Sequence, residues 1–156
     1  MKALTGYVVF LFGLPLVISF THDDTSKLYI IALREHVLRE EKGITSESER
    51  KEFASAPIFI INDCGIELPK ELGSHKLQEL GDSASMFVNN ASGLHAIKLN
   101  PISIDRGKAV VILSDYVVTK GIKEARFAYG GGREYVFSYD AKSQQYAIVQ
   151  TKAISF

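Results

Sequence analysis

Cysteine is almost missing from this chain. Cys64 is the single one, so neither an intramolecular disulfide framework nor a cysteine-based zinc cluster can staple the fold. Tryptophan is absent, and an excess of either charge is absent too: 18 lysines and arginines face 18 acids, with a pI of about 6.9. That balance offers no long-range attraction to nucleic acid or to an anionic membrane surface. Internal repeats, low-complexity tracts and linkers are also lacking. What is there is ordinary globular material. With 46% apolar residues, 23% charged residues and only four prolines, the chain is neither wholly disordered nor collagen-like. Its 156 residues suffice for one compact core and argue against two.

The first twenty residues read as an address. Met1-Lys2 is a short basic start, and residues 3–20 carry no charge. The dense stretch Tyr7-Val8-Val9-Phe10-Leu11-Phe12 gives way to Gly13 and Pro15, and Val17-Ile18-Ser19 then offers an aliphatic residue at −3 and a small one at −1. This is the order of a secretory signal peptide, cut after Ser19, with a cut after Thr21 fitting almost as well. The expected product is secreted or periplasmic, with residues 1–19 as leader and 20–156 as a single α+β domain. The rival is an uncleaved membrane anchor through residues 3–20, for about 18 apolar residues can just span a bilayer. A buried first strand or helix fits worse, since an uninterrupted apolar stretch has no solvent face.

The mature part opens with a helix. Asp23-Asp24-Thr25-Ser26 supplies capping residues, residues 27–42 contain no Gly or Pro, and Gly43 is a natural stop. Tyr29, Ile30, Leu33 and Val37 share one stripe, which Ile31 and Leu38 widen. Residues 44–56 are polar and read as a solvated loop or a marginal helical extension. Residues 57–61 form a short strand followed by a turn at Asn62-Asp63-Cys64-Gly65. Residues 66–80 are irregular, with an extended piece from 75 to 80. Asp82 caps a short helix over 83–89 that buries Met86 and Phe87.

From Leu94 onward the period is two. Residues 94–104 are extended, but their alternation slips at Asn100-Pro101, which predicts a bulge or an edge position there. Residues 109–119 are apolar on both parities from Val110 to Leu113 and read as the central strand. A weaker strand covers residues 125–129 and ends at Gly130-Gly131-Gly132; two further strands follow over 133–139 and 145–152. A helix followed by runs of strands argues for α+β layers. The expected fold is an N-terminal helix packed on a curved antiparallel sheet of four to five strands.

No motif carries a specific chemistry. His22, His36, His75 and His95 show no metal-ligand spacing, and a Gly-x-Ser-x-Gly elbow is absent, so neither a metal site nor a cofactor is expected. Cys64 beside Asp63 reads as a buried structural thiol. The glycine triplet with Arg133 has the donors for an anion, but it leads into a strand, so a hairpin or bulge explains it better. The aromatic row Tyr135, Phe137, Tyr139 with Tyr146 reads as core, because a base-stacking platform also needs a basic groove. Asp115 is the single catalytic candidate: an acid within the most apolar strand, on the opposite face from Tyr116, is placed to act as a general base on a concave sheet. Tyr116, Tyr129 and Arg133 are the binding candidates. Asn90-Ala91-Ser92 fits a glycosylation sequon.

A signal-like start, the helix over 27–42, Leu68-Pro69, the bulged extended run over 94–104, and the triplet ahead of Tyr135-Val136-Phe137 together resemble small exported proteins of Bacteroidetes-type bacteria. The helix followed by a coiled sheet also resembles the cystatin-like and nuclear-transport-factor-2-like superfold, which hosts enzymes and pure binders alike. The inhibitory motif Gln-x-Val-x-Gly of cystatins is absent, and neither a Tyr–Asp oxyanion pair nor a His–Asp dyad falls on positions matching the enzymes. The expectation is therefore an exported, noncatalytic protein that binds a protein or small ligand and no nucleic acid. The alternative is a small enzyme with a cone-shaped pocket, using Asp115 as general base.

Overall fold

The computed structural model describes residues 22–81, 93–120 and 125–155. The leader over 1–19, the short helix over 83–89 and the Asn90 sequon lie outside the described residues. Helix α1 (His22–Gly43) buries Leu28, Tyr29, Ala32, Leu33, His36 and Val37, adjacent pairs recurring every fourth residue on one face. Leu38, counted with that stripe from the sequence, is 47% exposed on its flank. Asp23 and Asp24 lie inside the first turn instead of ahead of it, still at the positive end of the helix, and Lys42 sits at the negative end.

The polar stretch that follows closes a second helix, α2 (Glu47–Ser55), which buries no residue. Its apolar contact is Phe53, edge-on to His75 with ring centroids 5.1 Å apart. The amide of Ala56 closes the last turn on the carbonyls of Glu52 and Phe53, and Pro57 then directs the chain into the sheet.

Among the described residues eight strands make one curled, mixed sheet: β1 (Ile58–Ile61), β2 (Glu71–Leu72), β3 (His75–Glu79), β4 (Leu94–Leu99), β5 (Ser103–Asp105), β6 (Lys108–Lys120), β7 (Ala125–Asp140) and β8 (Gln145–Ile154). Their order is β2-β3-β1-β4-β6-β7-β8, with β5 also on β6. The expected four to five antiparallel strands are thus too few, and the sheet is not purely antiparallel, since β1 runs parallel to both β3 and β4. The added strands are short or lack alternation. All four residues of β1 are apolar because Ile58 and Ile60 pack under α1 while Phe59 and Ile61 pack on the opposite face.

β6 is central, as its two apolar parities predict. Val111 and Leu113 point into the main core with Tyr29, Leu33, Leu99, Tyr135 and Phe137. Val118 points the other way, into a smaller cluster with Leu94 and Ala96. The slip at Asn100-Pro101 is real: β4 and β5 pair with the same strand, and between Leu99 and Ser103 the chain carries one more residue than β6 between Leu113 and Val110. The carbonyl that this bulge frees at Asn100 accepts the Tyr29 hydroxyl at 2.6 Å.

The glycine triplet does not end a strand. β7 runs through it, and the surplus residue is absorbed as a bulge, with Asp115 opposite Gly131 but Tyr116 opposite Tyr129. Gly132 is required by close approach: a Cβ there would lie 2.5 Å from the carbonyl oxygen of Leu113.

Candidate functional site

Asp115 shares the β6 parity of Val111 and Leu113 and so faces α1, next to the bulge. On the helix-facing side of the sheet, His36 stands between Asp115 and Tyr135. Its Nε2 lies 2.8 Å from Asp115 Oδ1 and its Nδ1 lies 3.0 Å from the Tyr135 hydroxyl. For a neutral ring these partners fix the tautomer: Nε2–H donates to the carboxylate, while Nδ1 accepts the phenol proton. Exposure rises along the chain, from Tyr135 at 0% and His36 at 2% to 33% for the Asp115 side chain. Burial pushes the Tyr135 phenol well above its usual range, although Arg133 and Arg39 pull it partly back, so this hydroxyl holds its proton.

Chemically, the chain turns one face to solvent, the carboxylate of Asp115. A histidine that activates a nucleophile must present a ring nitrogen to it. Here both nitrogens are engaged and the ring is sealed between helix and sheet. His36 is therefore a brace for Asp115 and a polar pin between α1, β6 and β7.

The sequence candidates do not converge on one place. Asp115 and Arg133 face the helix side of the sheet; Arg133 lies on β7 between Leu113 and Ala153. Tyr116 and Tyr129 occupy the opposite side, edge-on with ring centroids 5.6 Å apart, and Phe127 stands 6.3 Å from Tyr116. Of the aromatic row, Tyr135 and Phe137 are core, whereas Tyr139 is largely exposed and leans on Tyr146 at 5.0 Å. His36 and Tyr135, the two partners of Asp115, went unrecognised in the sequence as site residues. The available signal was a histidine on the buried stripe of a helix, needing a polar partner from the strand it covers.

A second concave feature opens where the parallel strands β1 and β4 end. This groove, of about 660 Å³, is bounded by Tyr29 of α1, by Asp63 and Cys64 after β1, and by Lys98, Asn100 and Ile102. Cys64 is half-buried, with Sγ 3.3 Å from the Leu99 carbonyl and 3.6 Å from the Tyr29 hydroxyl. Since the Tyr29 proton goes to Asn100, the thiol donates to Leu99. Burial and the neighbouring thiol hold the Tyr29 phenol above its ordinary range. At the rim Lys98 Nζ lies 2.7 Å from Asp63 Oδ2, which raises the lysine's affinity for its proton. A smaller cavity of about 260 Å³ lies between α1 and the turn joining β2 to β3, lined by Arg34, Glu41 and His75 among others. Among the described residues no cluster of histidine, cysteine and acid could hold a metal, and no helix is long and apolar enough to cross a membrane. Comparison with known proteins finds no matching family model, no matching curated protein and no matching solved structure.

Proposed function

We propose that this chain is an exported, noncatalytic binding protein, and that it holds a small ligand in the groove at the carboxyl ends of β1 and β4. The groove itself carries the reading. In open sheets, ligands collect outside the carboxyl ends of parallel strands, where loop backbone and side chains meet solvent. Here the walls combine apolar surface from Ile66, Pro101 and Ile102 with a Lys98–Asp63 rim and a thiol, the mix of apolar lining and few polar groups that small-ligand sites use. The space between helix and sheet, where a cone-shaped active site belongs, is filled by Leu33, Tyr135 and Phe137.

The test is a nuclear magnetic resonance screen of the full-length chain against a fragment library. Hits are expected to move the amides of Asp63, Cys64, residues 98–100 and Ile102, and Ile102→Trp, which fills the groove, is expected to abolish them. One observation favours the catalytic alternative: the outward carboxylate of Asp115 is braced by His36. Fragments gathering at Asp115, together with turnover lost in Asp115→Asn, would replace the binding reading. Mass spectrometry of the exported product tests the leader, since an intact Met1 refutes its removal.

A further inference from the structure

The two edges of the sheet differ in a way that points to a partner. At one edge lies β2, two residues long and preceded by Pro69 and Lys70. Short length, proline and lysine are the usual guards of an exposed edge. At the other edge lies β8, ten residues long, and among the described residues its one neighbouring strand is β7. β8 has no proline, and its one charge is Lys152. Half of Val149 is open to solvent, at 52% exposure, where a bulge inserts it between Ile148, opposite Phe137, and Gln150, opposite Val136. From Ala147 to Ala153 an outward-facing strand edge presents amides and carbonyls to whatever can pair with them.

We propose that β8 pairs with the β8 of a second copy of this chain, antiparallel, about a two-fold axis between Val149 and Gln150. The bulge selects that register. It places Tyr146, Ile148, Thr151 and Ala153 on the helix-facing side, opposite Tyr139, Phe137, Tyr135 and Arg133, and it turns Ala147, Gln150 and Lys152 to the other side. Pairing Ile148 with the second copy's Thr151, and Ala147 with its Lys152, keeps every partner on the same face of the joined sheet. It also sets the one charge of each strand against an alanine, so no like charges oppose each other. An unrelated extended peptide would match neither constraint except by accident. One strand edge buries less than the roughly 1,200 Å² at which stable complexes begin, so the dimer forms and parts with concentration.

The experiment is sedimentation velocity on the full-length chain over a concentration series, with amide hydrogen exchange at the same concentrations. The mass is expected to rise from one chain to two, with protection gained at residues 145–154. Val149→Lys and Val149→Glu each put two like charges beside the axis and should weaken the dimer about tenfold or more. Mixing the two variants should restore it, while either alone keeps the unfolding midpoint of the parent chain at dilution. A chain that stays monomeric throughout overturns the proposal. So does a dimer whose exchange at β8 is unchanged, or one that ignores both charge variants.

Discussion

Tyr135 is the residue on which the buried polar chain depends, because its proton completes His36. Tyr135→Phe keeps the ring and opens no cavity, but it leaves Nδ1 of His36 buried without a donor. Removing one partner from a buried pair costs about 1–3 kcal/mol, and denaturant unfolding of the variant should show a loss of that size. Asp115→Asn retains an oxygen that can accept from Nε2, so its cost should be smaller, about 1 kcal/mol. Equal losses from the two variants would mean that the chain is not ordered as described. The residue scale also marks how far sequence reasoning reached. Asp115 stands out in the sequence as an acid within the most apolar strand, and the structure gives it His36 as a partner. His36 was hidden by its position among Tyr29, Leu33 and Val37, on a stripe that reads as hydrophobic packing. The pairing of the two depends on how α1 crosses β6, and no local spacing encodes that crossing.

At the scale of elements, the bulge in β7 falls just past Asp115, at the end of the polar chain. Without the extra residue, Asp115 and Tyr116 would meet β7 in a continuous ladder, and the glycines would have no special place. Gly132→Ala drives a Cβ to 2.5 Å from the Leu113 carbonyl, a backbone atom of the central strand that cannot turn aside. It should destabilise the fold by about 2–4 kcal/mol, as overpacking and strain do together. Gly130→Ala meets its nearest atom, the Asp115 carbonyl oxygen, at an ordinary 3.5 Å and should cost no more than about 1 kcal/mol. Thermal unfolding of the two variants separates a required glycine from a tolerated one; a reversed order would refute the bulge geometry. Elements with a strong period of their own, α1 and β6, were legible in the sequence. So was the slip at Pro101, because proline removes an amide that the ladder needs. β1 and β3 were seen as extended pieces, but their parallel pairing was not, since strands far apart in the chain carry no local mark of their neighbour. The glycine triplet reads in the sequence as a strand end and as a hairpin or bulge; the bulge is there, but inside one continuous strand that the triplet does not end.

For the molecule as a whole, two of the polar contacts that pin α1 to the sheet are made by phenols. Tyr29 anchors the N-terminal half through the Asn100 carbonyl, and Tyr135 meets His36 in the C-terminal half. Burial raises the proton affinity of both phenols in the folded chain above that of an ordinary tyrosine, 10.0. Ionising either one strips its donor from a buried acceptor and puts a charge where water is excluded. Their contribution is complete below about pH 10, where both states keep the proton. It is lost as the pH climbs from there toward the folded values, because the unfolded chain releases its protons first. Denaturant midpoints should therefore hold steady up to about pH 10 and fall above it, while phenolate absorbance shows two tyrosines that ionise only as the chain unfolds. The double variant Tyr29→Phe, Tyr135→Phe removes both groups. It should be less stable at neutral pH but decline more gently in alkali; a decline as steep as that of the parent chain would place the alkaline sensitivity in groups other than these two phenols.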